Sequence, residues 1–168
     1  MDSKKLWIVV DASGSTSECG RKMLNRQICR NIEQFVRFGY GSADLHLVIA
    51  AGEVSEVEWN TKDEFPLDKL PCLGTFNSAE IVKFFEGKSG RVLIVTDGYV
   101  GAKGADILSD WAQGLDDSDS VRMIVTNPAK KFRSNSIKAF TPQELFLALD
   151  RWLEAGASAK VGSEEDEW

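Results

Sequence analysis

The sequence predicts an α/β protein, a Rossmann-like three-layer sandwich with a mostly parallel central sheet, one antiparallel edge strand and helices on both faces. Three observations predict it. The apolar runs Leu6–Val10 and Val92–Val95 have the length and continuity of strands buried on both sides. Segments with helical spacing separate the strand-like runs, the pattern of a parallel sheet flanked by helices. A turn at Gly52-Glu53 leaves too short a connection for anything but an antiparallel hairpin.

Taken in order, Leu6–Val10 is the first strand, and it runs into the small polar loop Asp11-Ala12-Ser13-Gly14-Ser15-Thr16-Ser17. A helix is expected from Cys19 or Arg21 to Phe38. Leu24, Ile28, Ile32, Phe35 and Val36 recur at helical spacing, and Gly39-Tyr40-Gly41 ends it. The basic residues between them, Arg21, Lys22, Arg26, Arg30 and Arg37, read as a solvated face. Asp44–Ala51 is a second strand, and Val54–Trp59 alternates as a half-exposed edge strand.

Asn60–Gly74, with Pro66 and Pro71, reads as loop. Asn77 or Ser78 caps a short helix over Ala79–Glu86. Arg91–Thr96 is a buried strand ending at Asp97. Ala105–Gln113 follows as a helix, then Val121–Thr126 and the short Ile137–Phe140 as strands. Thr141-Pro142-Gln143-Glu144 combines a cap, a first-turn proline and a capping box. The last helix is expected to reach Glu154, with Leu145, Leu149, Trp152 and Leu153 facing inward.

The 168 residues suit a single domain, placed at residues 1–155, with a flexible acidic tail at 156–168. The net charge is −6, and Glu164, Glu165, Asp166 and Glu167 carry four of the negative charges. Without them 22 acids face 20 bases. That balance lacks the basic excess that displaces counterions from phosphates, so no nucleic-acid partner is expected. No apolar run approaches the roughly 20 residues of a membrane span. The five apolar residues after Lys5 are too few for a signal-peptide core. Cytoplasmic location and no membrane partner are the expectation. Cys19, Cys29 and Cys72 are odd in number and lack CxxC spacing, which indicates free thiols.

Ligands in open parallel sheets bind beyond the carboxyl ends of the strands. Two buried strands end there in aspartates, Asp11 and Asp97. Asp11 opens the pattern Asp-x-Ser-x-Ser, so Ser13 and Ser15 add hydroxyls to the same edge. Two carboxylates and several hydroxyls form an oxygen-only donor set suited to a hard cation such as Mg²⁺. Taken alone, a strand-end aspartate followed by serines also suits a turn or a helix cap.

Asp11-Ala12-Ser13-Gly14-Ser15 after an apolar strand, with Leu73-Gly74-Thr75-Phe76 and Thr96-Asp97-Gly98 later in that order, resembles the von Willebrand factor A domain and its metal ion-dependent adhesion site. The resemblance covers about residues 5 to 155. It implies five metal positions: Asp11, Ser13, Ser15, Thr75 and Asp97. It implies Mg²⁺, Mn²⁺ or Ca²⁺ as cofactor. It also implies a divalent-metal-dependent protein-binding module rather than an enzyme. The partner would present an Asp or Glu, within a multiprotein assembly such as one with an ATPase of the AAA+ class. The chain is short for the family, with a helix-poor stretch at residues 60–72 and an irregular basic segment at 127–136.

Two alternative chemistries bear on the same residues. Aspartyl phosphoryl transfer at Asp11 usually needs a second acid two residues on, where Ser13 stands. A purely structural metal in a scaffold is a further alternative. No Gly-x-Ser-x-Gly elbow or Gly-Lys-Ser/Thr phosphate loop is present. His46, the only histidine, lies within a strand between Leu45 and Leu47 and reads as structural.

Overall fold

The structure, a computed structural model, describes residues 5–14 and 20–153. Six strands form one sheet: β1 (Lys5–Asp11), β2 (Asp44–Ala51), β3 (Glu53–Val57), β4 (Arg91–Thr96), β5 (Val121–Val125) and β6 (Lys138–Phe140). Their spatial order is β3-β2-β1-β4-β5-β6. Every neighbouring pair is parallel except β2 and β3, which form the antiparallel hairpin around Gly52.

Continuous apolarity in β1 has a direct cause, since both faces of the strand are covered. Leu6, Ile8 and Val10 face one core with Leu47, Ile49, Leu93, Val95 and Ile124. Helix α1 (Arg21–Arg37) and helix α4 (Leu145–Leu149) cover that side with Ile28, Ile32, Leu145 and Leu149. Trp7 and Val9 face the opposite core, with Val48, Ile94 and Met123. Helix α2 (Ser78–Phe84) and helix α3 (Ala102–Gln113) close it through Ile81, Leu108 and Ala112. The sheet is therefore sandwiched between two helical layers.

Several local expectations shift. The edge strand stops at Val57, and Trp59 instead meets Phe65 edge-on at 5.3 Å. Leu67–Lys69 forms one 3-10 turn in the loop. Asn77 caps α2 through its side chain, which accepts from Glu80 N at 3.2 Å. Helix α3 begins at Ala102, one turn earlier than its apolar spacing predicts.

The largest correction is the last helix, which ends at Leu149. Glu154, its expected end, lies outside the described residues, as does the acidic tail. Asp150 is extended and Arg151 has φ +68°, so the chain turns sharply. The turn carries Trp152 into the core, where its indole N–H donates to Asp119 O at 2.6 Å. The Arg122 guanidinium lies 4.8 Å from the Trp152 ring and donates to Ala148 O. A continuing helix would place Trp152 elsewhere. The aromatic and polar contacts of that one side chain outweigh helical propensity. Leu145, Leu149, Trp152 and Leu153 are all buried, as their spacing predicts.

No helix among the described residues is long and apolar enough to cross a membrane.

Candidate metal centre

Strand order locates the site. After β1 the chain adds strands on one side (β2, then β3). After β4 it adds them on the other (β5, then β6). The gap between the carboxyl ends of β1 and β4 is therefore the topological switch point, where helix connections diverge and leave a crevice. Asp11 ends β1, and Asp97 directly follows β4.

Asp11 is completely buried. One carboxylate oxygen, Oδ1, accepts from Ser13 N at 2.9 Å and from Ser13 Oγ at 2.6 Å. The other, Oδ2, accepts from Thr96 Oγ1 at 2.6 Å. Ser13 therefore folds back over the carboxylate two residues before it, and Thr96 locks Asp11 to the neighbouring strand. Burial pushes the Asp11 carboxyl above the usual carboxylate range. The hydrogen bonds from Ser13 and Thr96 pull it back only in part, and the Asp97 charge adds to the rise.

Asp97 is also buried. Its Oδ1 accepts from Tyr99 N at 3.2 Å, and Arg21 Nη1 lies 3.7 Å from its Oδ2. The loop before α2 is bound to the loop after β1. Leu73 N donates to Ala12 O at 3.2 Å, and Gly14 N donates to Gly74 O at 2.9 Å. Gly74 has φ +81°, and a Cβ there would lie 3.1 Å from Ala51 O at the end of β2, so the close approach of this loop to β2 suits glycine. Thr75, which is exposed, follows the Gly14–Gly74 bond directly and so stands at the rim of this junction.

Four of the five positions expected to hold metal thus belong to loops that converge on one sheet edge. Asp11, Ser13 and Asp97 form the buried floor, and Thr75 stands on the exposed rim. Ser15 lies outside the described residues. No cluster of three His, Cys, Asp or Glu occurs among the described residues. The donor set here is two acids with hydroxyls. Two buried carboxylates with hydroxyls beside them suit a hard divalent cation.

Two residues matter that sequence reasoning left aside. Thr96 ends a buried strand as a hydroxyl in an otherwise apolar run, and that break in the run is a readable signal. Arg21 was assigned to a solvated face, yet its side chain is only 13% exposed and turns to Asp97. Arg30 and Arg37 also hold partners: Arg30 donates to Thr61 O, and Arg37 pairs with Glu33. The Arg37–Glu33 pair has the i, i+4 spacing of a single helix, whereas nothing in the local sequence of α1 reveals the partners of Arg21 and Arg30. His46 is structural as expected, stacked on Trp7 at 4.5 Å and bonded to Glu56 and Asp44. Cys29 is a buried free thiol, and Cys72 is half-buried.

No protein-family model matches the chain, and no curated protein does. Solved structures do match. A von Willebrand factor type A protein from Catenulispora acidiphila superposes with a TM-score of 0.56 at 11% identity, covering 90% of this chain and 42% of that one. The manganese-loaded TRAP protein of Plasmodium vivax gives 0.54 at 12% identity, covering 90% and 74%. The pilus adhesin SpaC from Lactobacillus rhamnosus GG gives 0.52 at 11% identity, covering 95% and 31%. The chain spans less than half of the first and under a third of the adhesin. Likeness at such identities speaks to architecture alone. The sheet order and these superpositions together give the chain a von Willebrand factor A-like fold.

Proposed function

We propose that this domain is a divalent-metal-dependent protein-binding module. Asp11, Ser13, Ser15, Thr75 and Asp97 would hold Mg²⁺ or Mn²⁺, with Ca²⁺ as a further candidate, and a partner's Asp or Glu would complete the shell. The observation that carries the reading is the pairing of two buried carboxylates, Asp11 and Asp97, at the ends of adjoining strands.

The residues divide the work by chemistry. Asp11 and Asp97 supply negative charge from the floor. Ser13 fixes the rotamer of Asp11 through its own hydroxyl, and Thr96 fixes it from the other side. Thr75, exposed on a loop bonded to residues 12–14, is placed to meet whatever approaches from solvent. A bound divalent cation would supply an electrophilic centre that favours an outside carboxylate. The similar TRAP structure is manganese-loaded, which agrees with this reading.

Binding is favoured over phosphoryl transfer because Ser13, bonded to Asp11, stands two residues on, where those enzymes usually need a second acid as proton donor. The test uses immobilised poly-glutamate as a carboxylate probe. The purified domain should be retained with MgCl₂ present and released by EDTA, and Asp97→Ala should pass through. Retention that ignores EDTA would refute metal-dependent binding.

A further inference from the structure

The first turn of α1 contains no acidic residue and opens with Arg21 and Lys22. That runs against helix electrostatics, because the positive end of the macrodipole favours anions. Such a local conflict points to a compensating role elsewhere. The Arg21 side chain is largely buried and reaches back over the sheet edge to Asp97 Oδ2.

We propose that Arg21 is a built-in competitor for the cation at this site. Its guanidinium occupies the charge-neutralising place on Asp97, and a divalent ion must displace it to use that carboxylate. The inference rests on the metal-site reading above and concerns how that site is regulated. Geometry supports competition over cooperation. Tyr99 N engages Asp97 Oδ1, and Oδ2 faces Arg21. The 3.7 Å separation makes this an electrostatic pair, longer than the roughly 2.7–2.9 Å of a direct charge-assisted hydrogen bond. A pair of that kind neutralises a carboxylate without clamping it. Arginine keeps its charge across the physiological range, so the competition is set by ion concentration and not by proton concentration.

The balance also suits the two acids. Among the described residues, Arg21 is the cation paired with Asp97, and Asp11 accepts from hydroxyl and amide donors. A divalent ion supplies two charges to the same floor. Exchange of one for the other therefore leaves the floor better neutralised and frees Arg21 toward the rim, where an acidic partner would arrive.

The test measures Mn²⁺ binding to the metal-free protein by the loss of the free-ion electron paramagnetic resonance signal. Wild type is compared with Arg21→Gln, Arg21→Ala and Arg21→Lys. The neutral variants should bind about tenfold more tightly, the order expected when one positive charge is removed from beside a bound cation. Arg21→Lys should stay near wild type. In EDTA the neutral variants should melt lower than wild type, and Mn²⁺ should raise their melting temperature by more. Two neutral variants guard against one that fails to fold. Binding by Arg21→Gln with none by wild type would also support competition. If wild type binds and neither neutral variant binds more tightly, competition is overturned while the metal site stands. If no protein in the set binds Mn²⁺, both fall.

Discussion

Thr96 Oγ1 donates to Asp11 Oδ2 at 2.6 Å across 85 positions of sequence, joining the ends of the two central strands. The bond is buried, and Thr96 Oγ1 in turn accepts from Gly98 N at 3.1 Å. One hydroxyl thus positions both the acid that ends β1 and the loop that follows Asp97.

Replacing that hydroxyl tests its worth. Thr96→Val keeps the shape and leaves a buried carboxylate oxygen and an amide without this partner. The variant should lose about 1–3 kcal/mol of stability, the cost of an unsatisfied buried polar group. Urea unfolding should show a lower midpoint at unchanged slope, and Thr96→Ser should recover most of the loss. A midpoint equal to wild type in Thr96→Val would mean that the bond contributes nothing.

The Gly74 junction predicts a second effect. Gly74→Ala forces a side chain into a left-handed backbone position with Ala51 O at 3.1 Å. The loop must shift or carry strain of about 1–3 kcal/mol. The Gly14–Gly74 bond and the placement of Thr75 depend on that loop. Stability should fall, and amide exchange should quicken at Gly14. Unchanged exchange at Gly14 would show that the junction tolerates a side chain.

Much of this was legible in the sequence, for a physical reason. Strands buried on both faces write themselves as apolar runs, as β1 and β4 do, and strand-end acids such as Asp11 and Asp97 interrupt those runs visibly. The pattern of α1 was equally clear on its apolar side. The partners of Arg21 and Arg30 were not, because a surface arginine and one turned to a group distant in sequence look alike in one dimension. The end of α4 was hidden for the same reason. Trp152 fits helical spacing from Leu145, and only its contact with Asp119 and Arg122 shows why the helix stops. Arg122 itself lies in the fully buried strand β5, and its burial becomes sensible once Asp119, Ala148 and two aromatic rings surround it.

That cluster gives a pH prediction. Partial burial works against the Asp119 carboxylate. The hydrogen bond and charge of Arg122, with Lys138 and Arg91 nearby, outweigh it and hold the group below the usual aspartate range. The folded state therefore binds fewer protons than the unfolded state. The contribution is fully present above the ordinary value of about 3.9 and is lost as pH falls through the lower folded value. Wild type should exceed Asp119→Asn in stability by a constant margin from neutrality to about pH 5, and the margin should shrink in more acid solution. A margin that grows on acidification would reverse the sign and contradict the pairing.

The central claim is a divalent ion held by Asp11 and its neighbours, and thermal unfolding with and without MgCl₂ or MnCl₂ tests it most directly. An ion that binds only the folded chain should add about 2.7 kcal/mol at a hundredfold excess over its Kd, with a matching rise in Tm. Asp11→Asn keeps the side-chain shape and removes the charge, so its melting should ignore both salts. Wild type and Arg21→Gln that both melt identically with EDTA, millimolar Mg²⁺ and millimolar Mn²⁺ would contradict the account.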